Sequence, residues 1–139
     1  MKYALEKSEK EKIVEAIVSH LLKQYDEFIA VYIFGSFISE RSFSDIDIGI
    51  ILAKDLSHPF DFELNLENRL EEIVKYPVDV RILDQAPISF SQNVFRTGRI
   101  IIDTEPNIRA DFEGRILKQY FDFSPFQKRY LQEVINAPI

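Results

Sequence analysis

The stretch Asp45-Ile-Asp-Ile-Gly-Ile-Ile-Leu52 constrains this chain more than any other. Successive strand side chains point to opposite faces, so its alternation sends Asp45 and Asp47 one way and Ile46, Ile48 and Ile50 the other. Such a strand needs a sheet with helices packed behind the isoleucines. Three further stretches read as its partners. Ile29–Phe34 is a nearly all-apolar run ended by Gly35, which predicts a buried strand. Pro77–Leu83 alternates, with Val78, Val80 and Ile82 toward the core and Asp79 and Arg81 away from it. Arg99–Asp103 is the fourth candidate.

Helical periodicity fills the intervals. Residues 8–25 carry Ile13, Val14, Ile17, Val18, Leu21 and Leu22 at helical spacing, behind a capping-box pattern from Ser8 to Glu11. A second helix follows Ser57 and Pro59, with Phe62, Leu66, Leu70, Ile73 and Val74 on one face. Pro87 leads into a short helix that Gly98 closes. Residues 107–121 return to helical period, and Ser124-Pro125 predicts the cap and first turn of a separate terminal helix to about Ile135. The expected fold is one α/β (α+β) domain over residues 1–139: a core of 1–105, with helices on one face of a mixed sheet, and a C-terminal helical pair over 106–139.

Composition removes several function classes. Among 139 residues there is no cysteine, which excludes disulfides, thiolate zinc sites and thiol catalysis. With 17 basic and 23 acidic side chains the net charge is −6, contrary to the broad basic surface that non-specific nucleic-acid binding requires. No apolar run approaches the roughly 20 residues that span a bilayer, so a soluble cytoplasmic protein with no membrane partner is expected. His20 and His58 are too few and too scattered for an imidazole metal site, and neither is assigned a catalytic role.

The chemistry concentrates between Phe34 and Ile50. Two adjacent carboxylates repel unless a cation lies between them, and hard oxygen ligands at the spacing of Asp45 and Asp47 suit Mg²⁺. Two solvent-facing aspartates on an edge strand would give the same pattern. Gly35-Ser36, where an apolar strand ends, offers backbone N–H groups and a hydroxyl to an anion, although an ordinary turn reads the same. If the Pro77–Leu83 strand neighbours the Asp-x-Asp strand, Asp79 joins the pair on one face. Three carboxylates beside a phosphate cradle is the arrangement that metal-assisted phosphoryl or nucleotidyl transfer needs.

The Gly-Ser, the spacer, the Asp-x-Asp and the later strand Asp resemble the nucleotidyltransferase superfamily with the DNA polymerase β-like catalytic fold, and more narrowly its minimal nucleotidyltransferases. Val78–Pro87, Val94–Ile100, Phe112–Phe126 and Tyr130 are similar to the MntA-type antitoxins, which are encoded beside a HEPN-domain toxin. The resemblance implies a polymerase β-like fold and a protein adenylyltransferase that moves AMP from ATP to a tyrosine of that toxin, silencing it within a hetero-oligomer. It implies that Gly35 and Ser36 hold the β/γ-phosphates and that Asp45 and Asp47 ligate Mg²⁺, with two ions expected. Asp79 would ligate one ion and help deprotonate the acceptor hydroxyl. Where the family usually places a basic residue after Gly-Ser, this chain has Phe37, and Arg41 in the shortened spacer is the candidate for that phosphate charge. Arg96 and Arg99 face either solvent or a ligand. The aromatic group Phe112, Tyr120, Phe121, Phe123, Phe126 and Tyr130 places toxin docking on residues 106–139. Neutralisation by binding alone, or transfer to RNA or a small hydroxyl compound, are the alternatives.

Overall fold

In the computed structural model, residues 1–24 and 27–136 are described, with side chains of the last helix described only to Asp122 and again at Arg129. The elements are β1 (Tyr3–Ala4), α1 (Lys7–Gln24), β2 (Phe28–Phe34), α2 (Ser36–Ser39), β3 (Ser42–Phe43), β4 (Ile46–Leu52), α3 (Pro59–Val74), β5 (Val78–Ile82), α4 (Ile88–Thr97), β6 (Arg99–Asp103) and α5 (Pro106–Asn136). Four strands form one mixed sheet in the order β5-β4-β2-β6, with β4 and β5 parallel and the other pairs antiparallel. No helix among the described residues is long and apolar enough to cross a membrane.

The alternation of the strands decides where the core sits. Val31 and Ile33 of β2, Ile46, Ile48 and Ile50 of β4 and Val78, Val80 and Ile82 of β5 share one face. Against them pack Val14, Ile17 and Leu21 of α1 and Leu66, Leu70 and Val74 of α3. Each of these apolar side chains, fully buried, is worth about 1.5–3 kcal/mol in area removed from water. The parallel neighbour β5 is reached through α3, as a parallel connection requires.

Three expectations need correction. The helices do not keep to one face: α4 and α5 cover part of the other, where Ala30, Tyr32, Ile51 and Leu83 meet Val94, Phe95 and Phe112. Tyr32 donates its hydroxyl proton to the Glu113 carboxylate, and Arg109 bridges Glu113 at 3.3 Å and Asp103 at 3.1 Å, fastening α5 to β2 and β6. The expected C-terminal pair is a single helix, since Ser124-Pro125 lies inside α5. Proline withholds one backbone N–H, and helical sequence on both sides carries the helix through it. The start of α1 also moves: Lys7 is its first residue, and Glu9, not Glu11, reaches back to the Glu6 N–H at 3.4 Å. Phe123, Phe126 and Tyr130 of the aromatic group lie outside the described side chains; Phe112 packs inward against Phe95 and Phe121 is exposed.

Candidate active site

The face opposite α1 and α3 is built in rows across the sheet. Paired residues on adjacent strands share a face, and the register aligns Phe34 with Asp47 and Asp47 with Asp79. The next row is Tyr32, Gly49 and Arg81. Asp45 stands one residue before β4. The structure thus brings Asp47 and Asp79 side by side, with Asp45 close enough for its charge to act on Asp47.

Burial pushes the Asp47 carboxyl up to about 6, and the negative charges of Asp45 and Asp79 push the same way, against the opposing charge of Arg81. A carboxylate so placed is poorly neutralised by its surroundings, which fits a divalent cation. Among the described residues no group of three or more His, Cys, Asp or Glu side chains is placed to hold a metal ion by itself. Mg²⁺ does not require one, because it completes a few carboxylates with water and phosphate oxygens.

Gly35 links β2 to the single turn of α2. Its φ of +77° lies in the left-handed region, and a Cβ there would come within 2.2 Å of Asp47 Oδ2. Glycine is therefore required twice, for the backbone conformation and for the carboxylate against it. The Gly35 carbonyl accepts the N–H groups of Ile38 at 3.1 Å and Ser39 at 3.0 Å and the Ser39 hydroxyl at 3.1 Å, which holds the turn closed. The N–H groups that open α2 have no partner within it. Arg41 follows the C-cap of α2 and is exposed.

Two supports escaped sequence reasoning because both come from distant segments. Lys10 of α1 donates to the carbonyls of Phe37 at 2.8 Å and Glu40 at 2.9 Å, and its ammonium lies over the Phe37 and Phe43 rings. It ties off the C-terminal end of α2. On the other side, β5 is the sheet edge, and α3 covers that edge with a carboxylate ladder. Glu71, Glu67 and Glu63 accept the N–H groups of Val78, Val80 and Ile82, each at 2.9 Å. A helical spacing of four and a strand spacing of two are thereby matched rung for rung. Glu67 also meets the Asp79 carboxyl, and burial leads the causes that raise its own pKa. The signal was present in the sequence as Glu63, Glu67 and Glu71 at four-residue spacing, which resembles an ordinary solvated face.

Other candidates lie off the row. Arg99 pairs with Glu11 of α1 on the opposite face. Arg96 bonds Asn93 on its own helix at 3.3 Å. The His58 carbonyl accepts the Phe62 N–H at the start of α3.

A family model of polymerase beta nucleotidyltransferases matches residues 16–107, a span running from α1 through β6 and including all three aspartates. No curated protein sequence matches significantly. Among solved structures, the chain is similar to one in the complex of a tri-AMPylated Shewanella oneidensis HEPN toxin with an MNT antitoxin, at 21% identity and TM-score 0.71, covering 91% of this chain and 98% of that one. A toxin–antitoxin structure with AMP-PNP also gives 21% and 0.71, covering 88% and 98%. The MntA-HepT complex gives 20% and 0.66, covering 94% and 99%. Identities of this size speak for the fold, and the family model speaks for descent: the chain belongs to the polymerase beta nucleotidyltransferase family.

Proposed function

We propose that this protein is a Mg²⁺-dependent adenylyltransferase acting as the antitoxin of a HEPN-domain toxin in the cytoplasm, moving AMP from ATP to a tyrosine hydroxyl of that partner. The observation that carries the reading is the cross-strand row of Asp47 and Asp79 beside the Gly35 turn, in a member of a nucleotidyltransferase family. The similar Shewanella complex, whose toxin is tri-AMPylated, supports the choice of acceptor.

Asp45, Asp47 and Asp79 would hold Mg²⁺, which when bound neutralises the triphosphate and polarises the α-phosphorus. Gly35 lets the backbone approach the β/γ-phosphates, and Ser36 with the opening N–H groups of α2 receives their oxygens. Arg41 is the family-based candidate for added phosphate charge. Asp79, on the edge strand β5, accepts the proton of the attacking tyrosine hydroxyl. The new bond joins that oxygen to the α-phosphorus, the α–β bridge bond breaks, and pyrophosphate leaves. Residues 106–139 form the docking segment, with α5 anchored through Tyr32, Glu113 and Arg109 so that a bound partner is fixed relative to the row.

Co-incubation of the protein and its HEPN partner with α-labelled ATP tests the reading. Label should pass to the partner in Mg²⁺, fail in EDTA and fail with Asp79→Asn. Full neutralisation of the toxin by Asp79→Asn without label would establish binding alone as the mechanism, the alternative favoured by Phe37 replacing a cation beside the cradle.

A further inference from the structure

A triphosphate carries several negative charges, and the position after Gly-Ser offers it none. Phe37 is 1% exposed and stands edge-on to Phe43 at 4.9 Å, part of the core. Three of the other cations are engaged elsewhere. Lys10 is bound to two backbone carbonyls, Arg99 to Glu11, and Arg109 to Asp103 and Glu113.

Arg81 differs in place and in state. It follows Asp79 by two residues on β5, so the two side chains share the carboxylate face. Its Nε lies 3.9 Å from Asp79 Oδ1, an ion-pair distance too long for a hydrogen bond, and its side chain is 55% exposed. The guanidinium lies 5.7 Å from the centroid of the Phe90 ring. Phe90 in turn stands edge-on to Phe34 at 5.6 Å, and Phe34 is the residue before Gly35. The cation is thus braced between a carboxylate and a ring, with its N–H donors making no hydrogen bond to a described residue. A planar fork of donors, oriented by an aromatic face and already beside the metal-binding row, is suited to phosphate oxygens.

We propose that Arg81 is a phosphate-binding residue of this site, supplying the triphosphate with the positive charge that position 37 lacks. The inference rests on the nucleotidyltransferase reading above and names Arg81, ahead of Arg41, as the group that distinguishes ATP from AMP.

Titration calorimetry with Mg²⁺ and AMP-PNP, and separately with AMP, tests it on folded full-length protein. Arg81→Met should weaken AMP-PNP about tenfold, the size expected for one charge-assisted contact. The same variant should leave AMP within about twofold, and the melting temperature should be unchanged, since the side chain is exposed. Arg81→Lys should recover only part of the loss, because an ammonium cannot span two oxygens. Arg41→Ala should weaken AMP-PNP less than Arg81→Met. Undiminished AMP-PNP affinity in Arg81→Met overturns the inference while leaving the enzyme reading intact, and so does an equal loss for AMP and AMP-PNP. Loss in Arg81→Met of AMP-PNP alone, in a protein that transfers no label to its partner, sustains the phosphate role and removes the proposed acceptor chemistry. A wild-type protein that binds no AMP-PNP overturns both.

Discussion

The two faces of the central sheet are made from the same strands and answer different demands. Residues 46, 48 and 50 of β4 and 78, 80 and 82 of β5 are all isoleucine or valine, and all are buried under α1 and α3. One step along each strand lie Asp47, Asp79 and Arg81, charged groups that could not be buried without partners. The face under α1 and α3 supplies the larger apolar burial, and the other, apolar only where α4 and α5 cover it, uses the resulting rigidity to keep like charges together at its open end. The cost is visible at Asp47, whose carboxyl is pushed up by burial first and by its neighbours second.

Substitutions on adjacent residues should therefore separate stability from chemistry. Asn at both Asp45 and Asp47 should lower AMP transfer about a thousandfold while the melting temperature holds or rises, because repulsion is relieved. Melting below wild type would mean the carboxylates have structural partners and no metal role. On the facing side, Ile48→Ala should cost about 3 kcal/mol in denaturant unfolding, with transfer per folded molecule nearly intact. Gly35→Ala joins the two effects: strained backbone and a methyl against Asp47 should cost about 2 kcal/mol and most of the activity.

Smaller effects sharpen the contrast at the edge of the sheet. Glu67→Ala leaves the Val80 N–H without its acceptor and should cost about 1 kcal/mol, whereas Glu67→Gln retains an acceptor oxygen and should cost less. Asp47 also sets a pH dependence. A carboxyl raised from 3.8 to about 6 in the fold favours the protonated folded state. Its stabilising contribution is complete below pH 3.8 and is lost as pH rises through about 6. If the ionised form holds Mg²⁺ as proposed, the ion should raise the melting temperature increasingly above that pH, and Asp47→Asn should abolish this increment.

Local patterns made much of this legible. The alternation around Asp45–Leu52 and Pro77–Leu83 identifies both strands and the facing of every side chain in them, and the Asp47–Asp79 register realises the neighbour relation on which the site reading depended. Contacts that join distant segments left no such trace. Lys10 reaches the carbonyl of Phe37, and Glu67 reaches the Val80 N–H, each a contact whose local sequence reads as a solvated helix face. The β1–β3 ladder has two residues per strand, too few to express a period. At Ser124-Pro125 a good helix-start signal sits inside a helix, because a local start signal does not show whether the preceding helix has ended. Arg81 was visible on the correct face, but only the positions of Phe90 and Asp79 show how its guanidinium is held.

AMP transfer to a partner protein is the proposed work of the polar face. Intact mass of the proposed HEPN partner, purified after co-expression with this chain, tests it. Wild type should leave one or more AMP units on a partner tyrosine, and Asp79→Asn should leave none while still co-purifying. An unmodified partner that is nonetheless silenced by the wild-type chain would contradict the claim.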